Sequence, residues 1–219
     1  MATLVDLSVP LVTGMPVYPG DPRVEIGPAL TAARDGVNVQ RVHMGSQSGT
    51  HVDAPYHVDD AWPRLDELPL DRFTGPAVVM DARGLPPRTA IGPERLPDGL
   101  APGVVLLIAT GWSARWGGEE YLAHPYPAVE TAEAIAAAGV RTVGIDALSV
   151  DRTPPPGDGS FSLAVHRVLC GAGAVIAENL TGLDALLQAQ AAGRRVEVSL
   201  FPIRLDGDGA PVRAVARLD

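Results

Sequence analysis

The chain contains one cysteine, Cys170, among 219 residues. No internal disulfide can form and a cysteine-based zinc cluster is excluded, so any metal must be held by histidine, carboxylate or amide ligands. Long apolar runs are also missing. No stretch approaches the roughly 20 residues needed to cross a bilayer, so no membrane association is expected. The opening MATLVDLSVPLV has no positive residue before its apolar positions and no small-residue cleavage pattern after them, unlike a secretory signal. A cytoplasmic location is the expectation. Basic runs are absent too. With 17 Lys+Arg against 26 Asp+Glu the net charge is −9, and an acidic surface repels phosphate backbones, which excludes nucleic acid as the expected partner.

What is present is apolar material and turn chemistry. Hydrophobic residues make up 46% of the chain, enough for a full core and inconsistent with intrinsic disorder. The length fits a single domain spanning 1–219, with no repeat, linker or boundary. Gly (24) and Pro (21) are plentiful, with proline concentrated in the first half, predicting short strands joined by many turns. Strands are expected over 37–45, 76–82, 104–110, 140–146, 174–180 and 194–205. The apolar run VVLLIAT (104–110) reads as a strand covered on both faces. Helices are expected over 127–140, with Pro127 in the first turn and Gly139 closing the end, over 160–173 with Ser160 or Ser162 as cap, and over 181–193. GDG (207–209) reads as the turn of a closing hairpin. The second half alternates strand and helix, so the fold class is α/β with a mixed sheet.

One short stretch concentrates chemistry. QSGTHVDAPYH (47–57) holds His51, Asp53 and His57. On an extended backbone, Gln47, Gly49, His51 and Asp53 share one face. His51 and Asp53 can then reach one cation, with Gly49 leaving room for its approach. Pro55 ends regular pairing, and a turn there folds His57 back toward the same point. By spacing alone these remain either metal ligands or hydrogen-bonded polar residues. Gly-x-Gly in CGAGAV (170–175) follows a helix instead of a strand and is no nucleotide fingerprint. LDGDGAP (205–211) lacks the ligands of a calcium loop and reads as a turn.

GTHVDAPYH (49–57) resembles the signature His-x-Gly-Thr-His-x-Asp-x-Pro-x-His of the cyclase superfamily, whose best-known members are the bacterial metal-dependent kynurenine formamidases. The likeness extends through DLSVPLVTGMPVYPGDP (6–22), ATGW (109–112), GIDALSVD (144–151), HRVLCGAGAVIAENLTGL (166–183) and FPIRLDGDGAPVRAVA (201–216). The resemblance implies a swivelling β/β/α fold and one or two divalent ions, zinc or manganese. It implies a homodimer or homotetramer in which N-terminal residues of a neighbour close the cleft. It also implies hydrolysis of an amide on a small, aromatic substrate, as in tryptophan catabolism. The family pattern places a first metal on Gln47, His51 and Asp53, and a second on His57, His166 and Glu178, with Asp53 bridging.

The family pattern has histidine where this chain has Gln47. A carboxamide is a neutral, weaker donor than imidazole. Three readings stay open: Gln47 binds a harder ion such as manganese through oxygen, only one ion binds, or catalysis has been lost. For an active enzyme, His57 or Glu178 would carry the proton to the departing amine. Asp146 or Asp151 would orient a ligand histidine, although Asp151 also reads as a turn residue. Pro16, Tyr18, Pro19 and Trp62 are candidates to shape an apolar substrate pocket. The alternatives are a cyclic-amide hydrolase of the isatin type or a polyketide cyclase on the same scaffold, and a catalytically silent ligand-binding protein.

Overall fold

The computed structural model describes residues 2–155 and 157–219. In chain order its elements are β1 (Thr3–Asp6), β2 (Glu25–Leu30), α1 (Ala32–Asp35), β3 (Val39–His43), β4 (His51–Asp53), β5 (Thr74–Asp81), β6 (Ala90–Ile91), β7 (Val105–Ala109), β8 (Tyr126–Pro127), α2 (Val129–Ala137), β9 (Thr142–Ile145), α3 (Ala164–Gly171), β10 (Val175–Glu178), α4 (Leu183–Ala191), β11 (Val196–Ser199), β12 (Gly209–Pro211) and β13 (Val215–Leu218). Nine strands form one mixed sheet in the order β1-β13-β11-β5-β7-β9-β10-β4-β12. Its centre, β5-β7-β9-β10, is parallel and both flanks are antiparallel. The expected α/β mixed sheet is what the chain forms.

The central strand explains the two-layer packing. Every residue of β7 is buried. Val105, Leu107 and Ala109 point into a core shared with Leu183, Leu186 and Ala189 of α4. Leu106 and Ile108 face the opposite core, with Ala132 and Ile135 of α2 and Val165 and Leu169 of α3. A period of two along an apolar strand thus serves helices on both faces. Each fully buried Val, Leu or Ile among them contributes about 1.5–3 kcal/mol. Among the described residues no helix is long and apolar enough to cross a membrane.

Several element ends differ from expectation. Pro127 lies in β8, before the helix, and α2 begins at Val129. Gly139 does adopt a left-handed φ of 80° just past the helix end. Neither Ser160 nor Ser162 caps α3; its N-cap is Leu163, with no side-chain cap of its own. The strand expected to 205 stops at Ser199 as β11. The closing hairpin is nevertheless in register about Gly207: Val196 faces Leu218, Ser199 faces Val215 and Pro202 bridges Val212. Within its wide end, β12 pairs with β4 instead. The strand over 37–45 forms as β3, in a two-stranded ribbon with β2, and every β3 residue is exposed.

Gly144, in the middle of β9, is enclosed. A Cβ there would lie 2.6 Å from Leu180 Cδ1 and 2.7 Å from Leu107 Cδ2. Gly144→Ala should destabilise the fold by roughly 1–3 kcal/mol through overpacking, measured as a lower urea midpoint at unchanged slope.

Candidate metal centre

β4 lies between β10 and β12, and its register sets the site. His51 pairs directly with Glu178 of β10, and Asp53 pairs with Ile176. Directly opposed residues share a face, so His51, Asp53 and Glu178 project together. Ligand atoms of these three buried residues lie within 4.8 Å of one another. α3 brings His166 to the same point. Each carboxylate straddles two imidazoles. His51 Nε2 lies 3.4 Å from Asp53 Oδ1 and 3.6 Å from Glu178 Oε2, while His166 Nε2 lies 3.5 Å from Asp53 Oδ2 and 3.4 Å from Glu178 Oε1.

Surrounding groups aim these side chains. His51 Nδ1–H donates to Gly49 O at 2.8 Å, and the same oxygen accepts from Asn179 Nδ2 at 2.9 Å. Asn179 itself sits at φ 56°, a left-handed conformation asparagine tolerates. Gly49 adopts φ +67°, and a Cβ there would meet Leu11 Cδ2 at 2.7 Å. Asp151 accepts from His166 Nδ1 at 2.7 Å and from the backbone N–H of Val165 and His166 at 2.9 and 3.0 Å. It therefore orients His166 and satisfies the first turn of α3, the task expected of a serine. Asp146 does something else. Its carboxylate holds the Thr110–Gly111 turn through three donors.

The electrostatics fit a cation. Burial would lower the His51 pKa, but Asp53 and Glu178 outweigh it and raise it to about 9. For His166 burial is likewise opposed, and Asp151, Asp53 and Glu178 hold its pKa well above the ordinary value. Burial pushes the Asp53 carboxyl up, yet the facing histidines bring it below the usual carboxylate range. Both Asp53 oxygens are buried and have no hydrogen-bond donor among the described residues. A desolvated carboxylate without donors is costly unless a cation pairs with it. Two Nε2 atoms face it, their Nδ1 partners already engaged, so this donor set suits a divalent ion.

The remaining expected residues divide. Gln47 and His57 are beside the centre, with Gln47 Nε2 3.2 Å from His57 Nδ1, and the His57 ring centroid is 5.6 Å from that of His166. Tyr18 and Pro19 line a cleft of about 470 Å³ over the site, with Pro16, Leu148 and Phe161. Trp62 is not among the cleft-lining residues and instead lies against Gly171 of α3. Asp208 was not foreseen. From the hairpin tip dismissed as a turn, it accepts from Gln47 Nε2 at 2.8 Å and Ser46 Oγ at 2.8 Å. Nothing local in LDGDGAP signals this, because its partners lie more than 150 residues away.

Comparison with known proteins fits this geometry. Residues 5–152 match the family described as "Putative cyclase". The chain is 35% identical to a kynurenine formamidase of Salinibacter ruber, covering 98% of this chain and 97% of that one. It is 32% identical to a kynurenine formamidase of Bordetella petrii, with 99% of both covered. This chain belongs to the cyclase family. Among solved structures, an isatin hydrolase bound to thioisatinate superposes with a TM-score of 0.86 at 21% identity over 99% of this chain and 92% of that one. A structure described as a potential metal-dependent hydrolase with cyclase activity gives 0.77 at 25%, covering 99% and 98%. These likenesses agree with the curled mixed sheet.

Two outcomes follow for this cyclase-family centre. Asp151→Ala should cost roughly 3–5 kcal/mol, since it strands a buried imidazolium and two helix N–H groups; chemical denaturation measures it. Without metal, His51 contributes stability that is fully present below its unfolded pKa of 6.5 and is lost as pH rises through about 9. Thermal midpoints of metal-free protein should therefore fall across that window, and a saturating divalent ion should remove the fall.

Proposed function

We propose that this protein hydrolyses an amide bond on a small aromatic substrate of the N-formylkynurenine kind. The buried Asp53 carboxylate, without a hydrogen-bond donor among the described residues and set between two imidazole Nε2 atoms, carries this reading. His51, Asp53, His166 and Glu178 would hold one or two divalent ions, zinc or manganese. Relatives named kynurenine formamidase at 31–35% identity support the substrate class. When bound, such an ion supplies Lewis acidity, polarising a carbonyl and bringing the pKa of water down to about 7.

The chain's own residues do the rest. Pro16, Tyr18, Leu148 and Phe161 offer apolar walls to a ring, and Tyr18 and Phe161 meet edge to face at 6.4 Å. His57 lines this cleft and keeps about a quarter of its side chain exposed. It is the proton carrier for the departing amine. Glu178 is less suited: Oε1 accepts the Val150 N–H at 2.8 Å and the whole side chain is buried. The proposed assembly is a homodimer or homotetramer, for which the exposed β2–β3 ribbon, with Leu30, Val39 and Val42, is available surface. A cytoplasmic setting is proposed with it.

Protein purified without chelator is expected to carry near-stoichiometric metal and to hydrolyse N-formylkynurenine or formanilide. Chelator dialysis should lower kcat at least about 100-fold, with recovery on adding zinc or manganese. Turnover indifferent to chelation would overturn the metal assignment. Metal without turnover on either formamide, but with opening of isatin, would move the substrate to cyclic amides. Metal with no turnover on any of the three would leave a ligand-binding protein.

A further inference from the structure

Asn179 follows Glu178 in the chain and lines the same cleft as His51 and Gly49. It is 2% exposed and holds a left-handed φ of 56°, a backbone setting that clusters at working sites. Its polar groups are nearly all engaged. The backbone N–H donates to Ala147 O at 2.9 Å, and the backbone carbonyl accepts from Thr50 Oγ1 at 2.6 Å. In the side chain, Nδ2 lies 2.9 Å from Gly49 O and Oδ1 lies 2.8 Å from the Tyr121 hydroxyl. A carbonyl oxygen only accepts, so Gly49 O must face the NH2 end of the amide, and the Tyr121 hydroxyl donates to the other end.

Tyr121 belongs to the core packed around α2 and α3 and meets Trp116 edge to face at 5.1 Å. It is not among the cleft-lining residues, whereas Gly49 is. The amide therefore runs from core to cleft, with its oxygen end inward and its nitrogen end outward. Nδ2 carries two protons. Gly49 O takes one, and the second has no acceptor among the described residues. A brace between two segments needs only the first. A buried N–H without an acceptor is costly, and the oxygen of a substrate in the cleft would supply one. We propose that Asn179 is a catalytic residue whose second Nδ2–H donates to the carbonyl oxygen of the bound amide. The bond strengthens as negative charge collects on that oxygen, so it favours the transition state over the ground state. Tyr121 is the positioning residue that keeps the amide from turning. The effect on rate rests on the hydrolase reading, but the contact with an amide carbonyl can be observed without turnover.

The test is ¹H–¹⁵N NMR of the Asn179 side-chain NH2 in zinc-loaded protein, titrated with acetanilide, an aryl amide more inert than a formamide. One of the two protons is expected to move downfield at saturating acetanilide, while the proton held by Gly49 O moves less. Asn179→Gly accepts the left-handed φ and removes the amide. It should lower kcat for formanilide about 100-fold, the scale of a lost oxyanion donor, with KM within about twofold and metal content unchanged. Tyr121→Phe keeps the ring packing and frees the amide to turn, and should lower kcat about tenfold with metal retained. No acetanilide-dependent shift, or a kcat within about threefold of wild type in Asn179→Gly, would overturn the proposal. Loss of metal in either variant would show a brace for His51 instead and overturn it as well. The expected shift without turnover of any formamide would count against the hydrolase reading alone.

Discussion

A carboxylate deep in a protein needs donors or a cation, and Asp53 has no hydrogen-bond donor among the described residues. Its two oxygens sit buried between the Nε2 atoms of His51 and His166. Most of the local structure exists to maintain that arrangement. The β4–β10 register sets Glu178 opposite His51, so the second carboxylate completes a ring of alternating acids and imidazoles. A one-residue slip of β4 would turn His51 and Asp53 into the opposite core, and the site would disappear together with the packing of Val52.

Around this ring lies a set of groups that orient the imidazoles. Gly49 O takes one imidazole proton and Asp151 takes the other. Each leaves an Nε2 aimed at the carboxylates. The arrangement joins folding to chemistry, because Asp151 also satisfies the N-terminus of α3 and Thr50 ties Val9 to the backbone of Asn179. Changes to these residues would act on stability and on the centre at once.

The hairpin tip adds a third layer. Asp208 is partly exposed, but His57, Gln47 and Ser46 bring its pKa down to about 2 against the opposing effect of burial. It therefore stays ionised wherever the enzyme would work. The Asp208 carboxylate on one side of His57 and those of Asp53 and Glu178 on the other leave that imidazole between two negative fields. The side chains of Tyr18 and Phe161 line the cleft over the same point.

The local patterns were legible in the sequence. Strand patterns located β5, β7, β9 and β10, most plainly β7, whose burial on both faces leaves a continuous apolar run. Spacing put His51 and Asp53 on one face, and Pro55 marked the end of the strand. Caps were less legible, since Asp151 replaces the expected serines at α3 from across a loop. Chain proximity carried no trace of Asp208 beside Gln47, 161 residues apart, nor of Trp62 resting on Gly171 away from the cleft. Periodicity and turn chemistry are written in neighbouring residues, so the sequence by itself determined the elements and the shared face of His51 and Asp53. Which carboxylate orients which histidine, and what Gln47 does with its amide, depend on strand order and on the reach of a hairpin. Only the tertiary structure decided those, because hydrogen bonds between distant segments are specified by packing and not by spacing.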